Sequence, residues 1–123
     1  MTLEGLDHFT ILTDDLDKTR RFYCALLGLR EGPRPPFDFP GAWFYAGSHP
    51  VVHVVAGRPI PTYATGAVDH LAFRGSGDFG AMAERLAADG VEVARRMVPG
   101  AAVWQLFFLD PNGVRIELNY PPG

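Results

Sequence analysis

Cysteine is nearly absent from this chain: Cys24 is the only one in 123 residues, so no disulfide can form within it. Its neighbours Phe22, Tyr23, Leu26 and Leu27 give it the setting of an ordinary buried thiol. No apolar run approaches the roughly eighteen residues of a membrane span, and the opening MTLEGLDH lacks a basic segment followed by an apolar stretch. The expectation is a protein with no membrane partner and a cytoplasmic location. A positive excess is missing too, with 11 Lys and Arg against 14 Asp and Glu and a net charge of -3. That leaves no electrostatic reason to expect nucleic acid or an anionic membrane as a partner. What is present is ordinary globular composition, 47% hydrophobic and 20% charged. A single domain over residues 1–123 is expected, because half-modules of about sixty residues could hardly bury separate cores.

The chain repeats itself. Asp7-His8 recurs as Asp69-His70 and Gly28-Leu29 as Gly90-Val91, both at an offset of 62 residues. Such periodicity takes precedence over any local signal. Residues 6–12 alternate, with Leu6, His8, Thr10 and Leu12 on one face and Phe9 and Ile11 on the other, as in a half-buried strand. Asp14 or Asp15 then caps a helix whose apolar positions run from Leu16 through Thr19, Phe22, Tyr23 and Leu26 to Leu27, and Gly28 ends it. The Pro- and Phe-rich stretch 31–40 reads as a loop. Strands over 42–46 and 51–55, joined by Gly47-Ser48-His49-Pro50, close the first half. The second half follows suit: a strand over 68–74, Asp78 or Ser76 capping a helix over 79–88, Gly90, a strand over 91–94, and a hairpin of 103–109 and 114–119 around Asp110-Pro111-Asn112-Gly113. Both modules, 1–57 and 67–123 with a linker at 58–66, read βαβββ. The fold class is α+β, with helices covering one face of a mostly antiparallel sheet and the other face free to form a cup.

Alternation selects the residues of that cup. If Phe9, Ile11, Leu71 and Phe73 pack under the helices, His8 and His70 point the other way, and two imidazoles at matching repeat positions suggest a metal. In the last strand Ile116 and Leu118 suit the helix side, which turns Arg115, Glu117 and Asn119 to the cup. His53 is the polar residue of VVHVV, and the repeat places it near the position of Glu117. A lone strand histidine is usually a packed side chain; two at matching positions with a parity-matched Glu favour the ligand set His8, His53, His70 and Glu117. Thr10, Arg74, Gln105, Phe107 and Arg115 share the cup-facing parity and are candidates to line a substrate pocket, Arg74 or Arg115 as a bidentate carboxylate clamp. Asp7 and Asp69 read as strand-end caps, His49 as a solvated turn residue, and Trp43, Phe44, Trp104 and Phe108 as core.

The stretches LDHFTILTDDLDKTRRFYCALLGL, FDFPGAWFYAG, VVHVV, VDHLAF and FFLDPNGVRIELNY together resemble the vicinal oxygen chelate superfamily of glyoxalase I, extradiol dioxygenases, methylmalonyl-CoA epimerase, fosfomycin-resistance thiol transferases and bleomycin-binding proteins. The resemblance covers almost the whole chain. It implies the glyoxalase-like fold of paired βαβββ modules, a small-molecule substrate, a homodimer, and His8, His70 and Glu117 as the usual metal ligands. Three imidazoles and a carboxylate suit Fe2+, Mn2+, Ni2+, Co2+ or Zn2+. With His53 as a fourth ligand two positions stay open, enough for an isomerase or lyase acting on a chelating hydroxy-ketone; without it three stay open, the arrangement of an Fe(II) dioxygenase. Glyoxalase I-type isomerases commonly carry a carboxylate where His53 stands, which assigns catalytic proton transfer here to Glu117 or His53. Fosfomycin transfer is not expected, since no basic extension follows Tyr120 in this sequence. The alternatives are a metal-free drug-sequestering module of the bleomycin-resistance kind and a structural or regulatory domain that has kept the fold. Substrate choice is expected to lie in loops 35–40 and 57–65.

Overall fold

The computed structural model describes residues 4–57, 59–60, 70–98 and 103–121. The chain divides into two units, Met1–Pro61 and Thr62–Gly123. The linker expected at 58–66 and the strand start expected at 68–69 lie largely outside the described residues.

In the first unit the order is β1 (Phe9–Thr13), α1 (Leu16–Arg20) running directly into a π-helical stretch Arg21–Leu26, β2 (Arg30–Gly32), β3 (Gly41–Ala46) and β4 (His49–Ala56). The sheet order is β1-β4-β3-β2, with β1 parallel to β4 and the other pairs antiparallel. Asp15 is the cap, its side chain accepting from the Lys18 N–H at 3.0 Å, where an orphan donor of the first turn needs a partner. Gly28 ends the helix at a φ of +85°, a conformation that costs a side-chain-bearing residue about 1–2 kcal/mol. Phe44, Val52 and Val54 turn to the helix side, where Tyr23 meets Phe44 with ring centroids 6.0 Å apart, and all four are buried. Buried Thr13 and Thr19 satisfy each other through a 2.9 Å hydroxyl contact.

The second unit repeats the plan: β5 (Leu71–Arg74), α2 (Phe79–Ala88), β6 (Ala94–Val98), β7 (Val103–Leu109) and β8 (Arg115–Tyr120), in the order β5-β8-β7-β6 with β5 parallel to β8. Asp78 caps α2 through the Gly80 and Ala81 N–H groups, and Leu86, Leu106, Phe108, Ile116 and Leu118 form the core. Asp110 shapes the hairpin turn by accepting from the Asn112 and Val114 N–H groups at 2.8 and 2.7 Å. Among the described residues no helix is long and apolar enough to cross a membrane. The α+β class and the βαβββ order of both halves hold.

Several boundaries differ from the periodicity. The first strand begins at Phe9 rather than Leu6, and the Asp7 carbonyl before it is bonded to the His49 side chain at 2.7 Å. The stretch 31–40 expected as a loop begins with the last two residues of β2, held by the pairing of Arg30, Glu31 and Gly32 with Tyr45, Phe44 and Trp43. The hairpin turn after β3 is shorter than expected, and His49 and Pro50 belong to β4. Residues 91–93 do not form a strand: the Val91 N–H is still bonded to the Leu86 carbonyl at 3.0 Å, and β6 starts only at Ala94.

Candidate metal centre

Each sheet leaves one face away from its helix, and alternation decides what stands there. In the first unit Thr10, His53 and Trp43 form one cross-strand row. His53 lies between two rings, with the His8 imidazole 3.7 Å away and the Trp43 indole 3.9 Å away, both nearly parallel. Its Nε2 is buried and, among the described residues, has no hydrogen-bond partner. Burial first, and the neighbouring His8 second, hold the His53 imidazole below the ordinary histidine range, so it is neutral with a lone pair available at neutral pH.

His8 stands just before β1 with Nδ1 2.6 Å from the Asp7 carboxylate. That bond is the main reason the Asp7 carboxyl is held below the usual carboxylate range. A carboxylate accepting a hydrogen bond from Nδ1–H fixes the tautomer and leaves the lone pair on Nε2, the usual arrangement behind a ligating histidine. His49 Nε2 lies 2.7 Å from the Asp7 carbonyl and 3.3 Å from its carboxylate, so it is solvent-exposed as expected but belongs to β4 and clasps Asp7.

In the second unit the corresponding row is Ala72, Glu117 and Phe107. His70 Nε2 is 3.1 Å from Glu117 Oε1, and the Asn119 side-chain amide donates to Glu117 Oε2 at 2.7 Å. Gln105 Nε2 in turn donates to Asn119 Oδ1 at 3.0 Å. Glu117 is buried, and a buried carboxylate is tolerated only with such partners. Phe107 meets His70 edge-on at 6.1 Å and carries the Arg115 guanidinium 5.4 Å above its ring.

The two rows are equivalent. His53 pairs with Thr10, two residues after His8; Glu117 pairs with Ala72, two residues after His70. Thus the four sequence candidates appear as two pairs in matching registers. Among the described residues no three His, Cys, Asp or Glu side chains form a group able to hold a metal. Each unit by itself still offers donors that suit a divalent first-row ion: the first an orphaned buried imidazole nitrogen and a second imidazole oriented by a carboxylate, the second a His–Glu pair. Of the pocket candidates, Thr10, Arg74 and Arg115 are exposed, while Gln105 and Phe107 are half-buried, all on these faces. Sequence reasoning missed the roles of Asp7, His49 and Asn119, and it took Trp43 for core. Parity with His53 across the hairpin would have moved Trp43 to this face.

A family model described as the Glyoxalase/Bleomycin resistance protein/Dioxygenase superfamily matches residues 5–118. The chain belongs to that superfamily. Its members are mostly enzymes acting on small molecules, and they commonly use divalent metals. Glyoxylase I 4 of Arabidopsis thaliana is 29% identical over 123 residues, a match covering 94% of this chain and 70% of the relative. The glyoxylase/bleomycin resistance protein/dioxygenase domain from Frankia sp. EAN1pec superposes with a TM-score of 0.81 at 23% identity, covering 98% of this chain and 94% of that one. The genomically encoded fosfomycin resistance protein FosX of Listeria monocytogenes gives 0.78 at 21% identity, covering 98% and 96%. At these identities the solved structures establish the superfamily's fold, and the resemblance to vicinal oxygen chelate proteins read from the sequence is borne out.

Proposed function

We propose that the protein is a divalent-metal-dependent enzyme acting on a small molecule chelated through vicinal oxygens, with His8, His53, His70 and Glu117 as ligands and an isomerase or lyase reaction. The observation that carries this is the matched register of His53 and Glu117, joined to a buried His53 Nε2 that nothing else in the described residues satisfies. An apolar strand has no structural use for an orphaned imidazole nitrogen, which costs about 1–3 kcal/mol unpaired. Counting His53 as a ligand favours the non-redox reaction over the dioxygenase.

The metal when bound supplies Lewis acidity that steadies negative charge developing on a chelating oxygen. The chain's own groups do the rest. Asp7 holds the Nδ1 proton of His8 and keeps its other nitrogen outward. Asn119, held by Gln105, ties down Glu117 Oε2, which leaves Oε1, the oxygen beside His70 Nε2, as the atom that would bind the metal. The Trp43 indole covers His53 and keeps water from that side. A homodimer belongs to the same reading, and sedimentation equilibrium tests it.

The deciding experiment is metal content by plasma mass spectrometry on protein purified without chelator or affinity-tag metal, then reconstituted with each divalent ion, Fe(II) anaerobically. Near-stoichiometric metal in the wild type and its loss in Glu117→Gln are expected. Failure to bind any of these ions would refute the proposal and favour metal-free sequestration of a small molecule.

A further inference from the structure

We propose that the sheet face bearing His70 and Glu117 binds an anionic substrate, a small carboxylate, between Arg74 and Arg96. That the anion is a substrate rests on the metal-enzyme reading; the anion site itself needs no metal. Arg74 pairs with Asn119, Asn119 with Gln105, and Gln105 with Arg96, so the four residues form one row across all four strands. Directly paired residues share a face, which puts both arginines on the side of Glu117. Three strand spacings separate their backbones by about 14 Å, and the two intervening side chains are short amides over which long guanidinium stems can close.

Those amides are already committed to each other and to Glu117, so they leave the guanidinium charge uncompensated. Both arginines are exposed, and neither has an acidic partner among the described residues. In a chain of net charge -3, this face sets Arg74 and Arg96 in the rows beside one carboxylate, Glu117, an excess of positive charge that attracts anions. Nor does the fold demand cations here: the equivalent row of the first unit is Leu12, Val55 and Gly41. Planar guanidinium groups suit carboxylates through paired N–H donors. Sequence parity offered either Arg74 or Arg115 as a carboxylate clamp; register sets Arg96 in the row of Arg74, while Arg115 lies over Phe107.

Both arginines also lie on the outer strands of the sheet order, where a charge can discourage strand pairing, and the test separates that use from binding. Metal-free full-length protein is titrated with succinate, and with neutral succinamide, at constant ionic strength while the Asn119, Gln105 and arginine side-chain N–H signals are followed by NMR. Saturable shifts with succinate and none with succinamide are expected. The double variant Arg74→Gln, Arg96→Gln should bind succinate at least ten-fold more weakly, and Arg95→Gln, on the opposite face, should match the wild type. Equal responses to both probes, undiminished binding in the double variant, or equal loss in Arg95→Gln would overturn the site. Self-association of the double variant with intact succinate binding would assign the arginines to edge protection. Should the double variant fail to fold, the succinate–succinamide comparison on the wild type decides. Metal content is read separately: succinate binding without metal binding sinks the enzyme reading and leaves this site standing, and the reverse removes this site alone.

Discussion

Ile116 and Glu117 are adjacent in β8, and truncating them should do opposite things. Ile116 is fully buried, paired with Leu71 and Phe108 on the helix side. Ile116→Ala removes apolar volume from a close-packed interior and should cost about 2–5 kcal/mol, a large share of the roughly 5–15 kcal/mol that holds a domain folded. Glu117→Gln keeps the shape. Its carbonyl oxygen can still accept from Asn119, and its amide can donate to His70, so the loss is that of turning charge-assisted hydrogen bonds into neutral ones, about 1 kcal/mol. The ligand charge disappears, however. Urea denaturation of metal-free protein and metal content of the folded fraction read the two effects independently. Ile116→Ala should shift the urea midpoint strongly and bind metal as the wild type does; Glu117→Gln should shift it slightly and bind none. Equal metal loss in both, or a larger stability loss in Glu117→Gln, would refute the assignment of faces in this strand.

Asp7→Ala removes the carboxylate that orients His8 and should weaken metal binding by about 10- to 100-fold, with His49→Ala causing a smaller loss in the same direction; competition against a chelating indicator measures both, and an unchanged affinity in Asp7→Ala would contradict the role given to that bond. Burial, as the main cause, pushes the Cys24 thiol above its ordinary range, so the folded chain holds this proton longer than the unfolded one. Stability from this group is therefore complete below the ordinary thiol range near about 8.5 and falls as pH rises toward the raised folded value; iodoacetamide at about pH 8.5 should alkylate native Cys24 more slowly than the denatured chain, and equal rates would contradict it.

The local sequence determined the units of this protein. Asp15 and Asp78 cap the helices, Gly28 and Gly90 end them with positive φ, and the Asp110 turn sets the last hairpin. Each acts within a few residues, so each is legible where it stands. Parity carried the reading further: alternation put Ile116 and Leu118 in the core and Glu117 on the opposite face, because a strand's period of two is local as well. The repeat offset gave the correspondence of His8 with His70.

Register and long-range hydrogen bonding came only with the tertiary structure. His49 reaches Asp7 across 42 residues of chain, a contact no periodicity encodes. β2 exists because the edge of β3 offers it hydrogen bonds, and the Pro- and Phe-rich composition around it gives no local sign of a strand. Trp43 moved from core to the His53 face, and Arg96 joined the row of Arg74, through the alignment of strands distant in sequence. Local sterics fix which way a side chain alternates; only the closing of the sheet decides which side chain it meets.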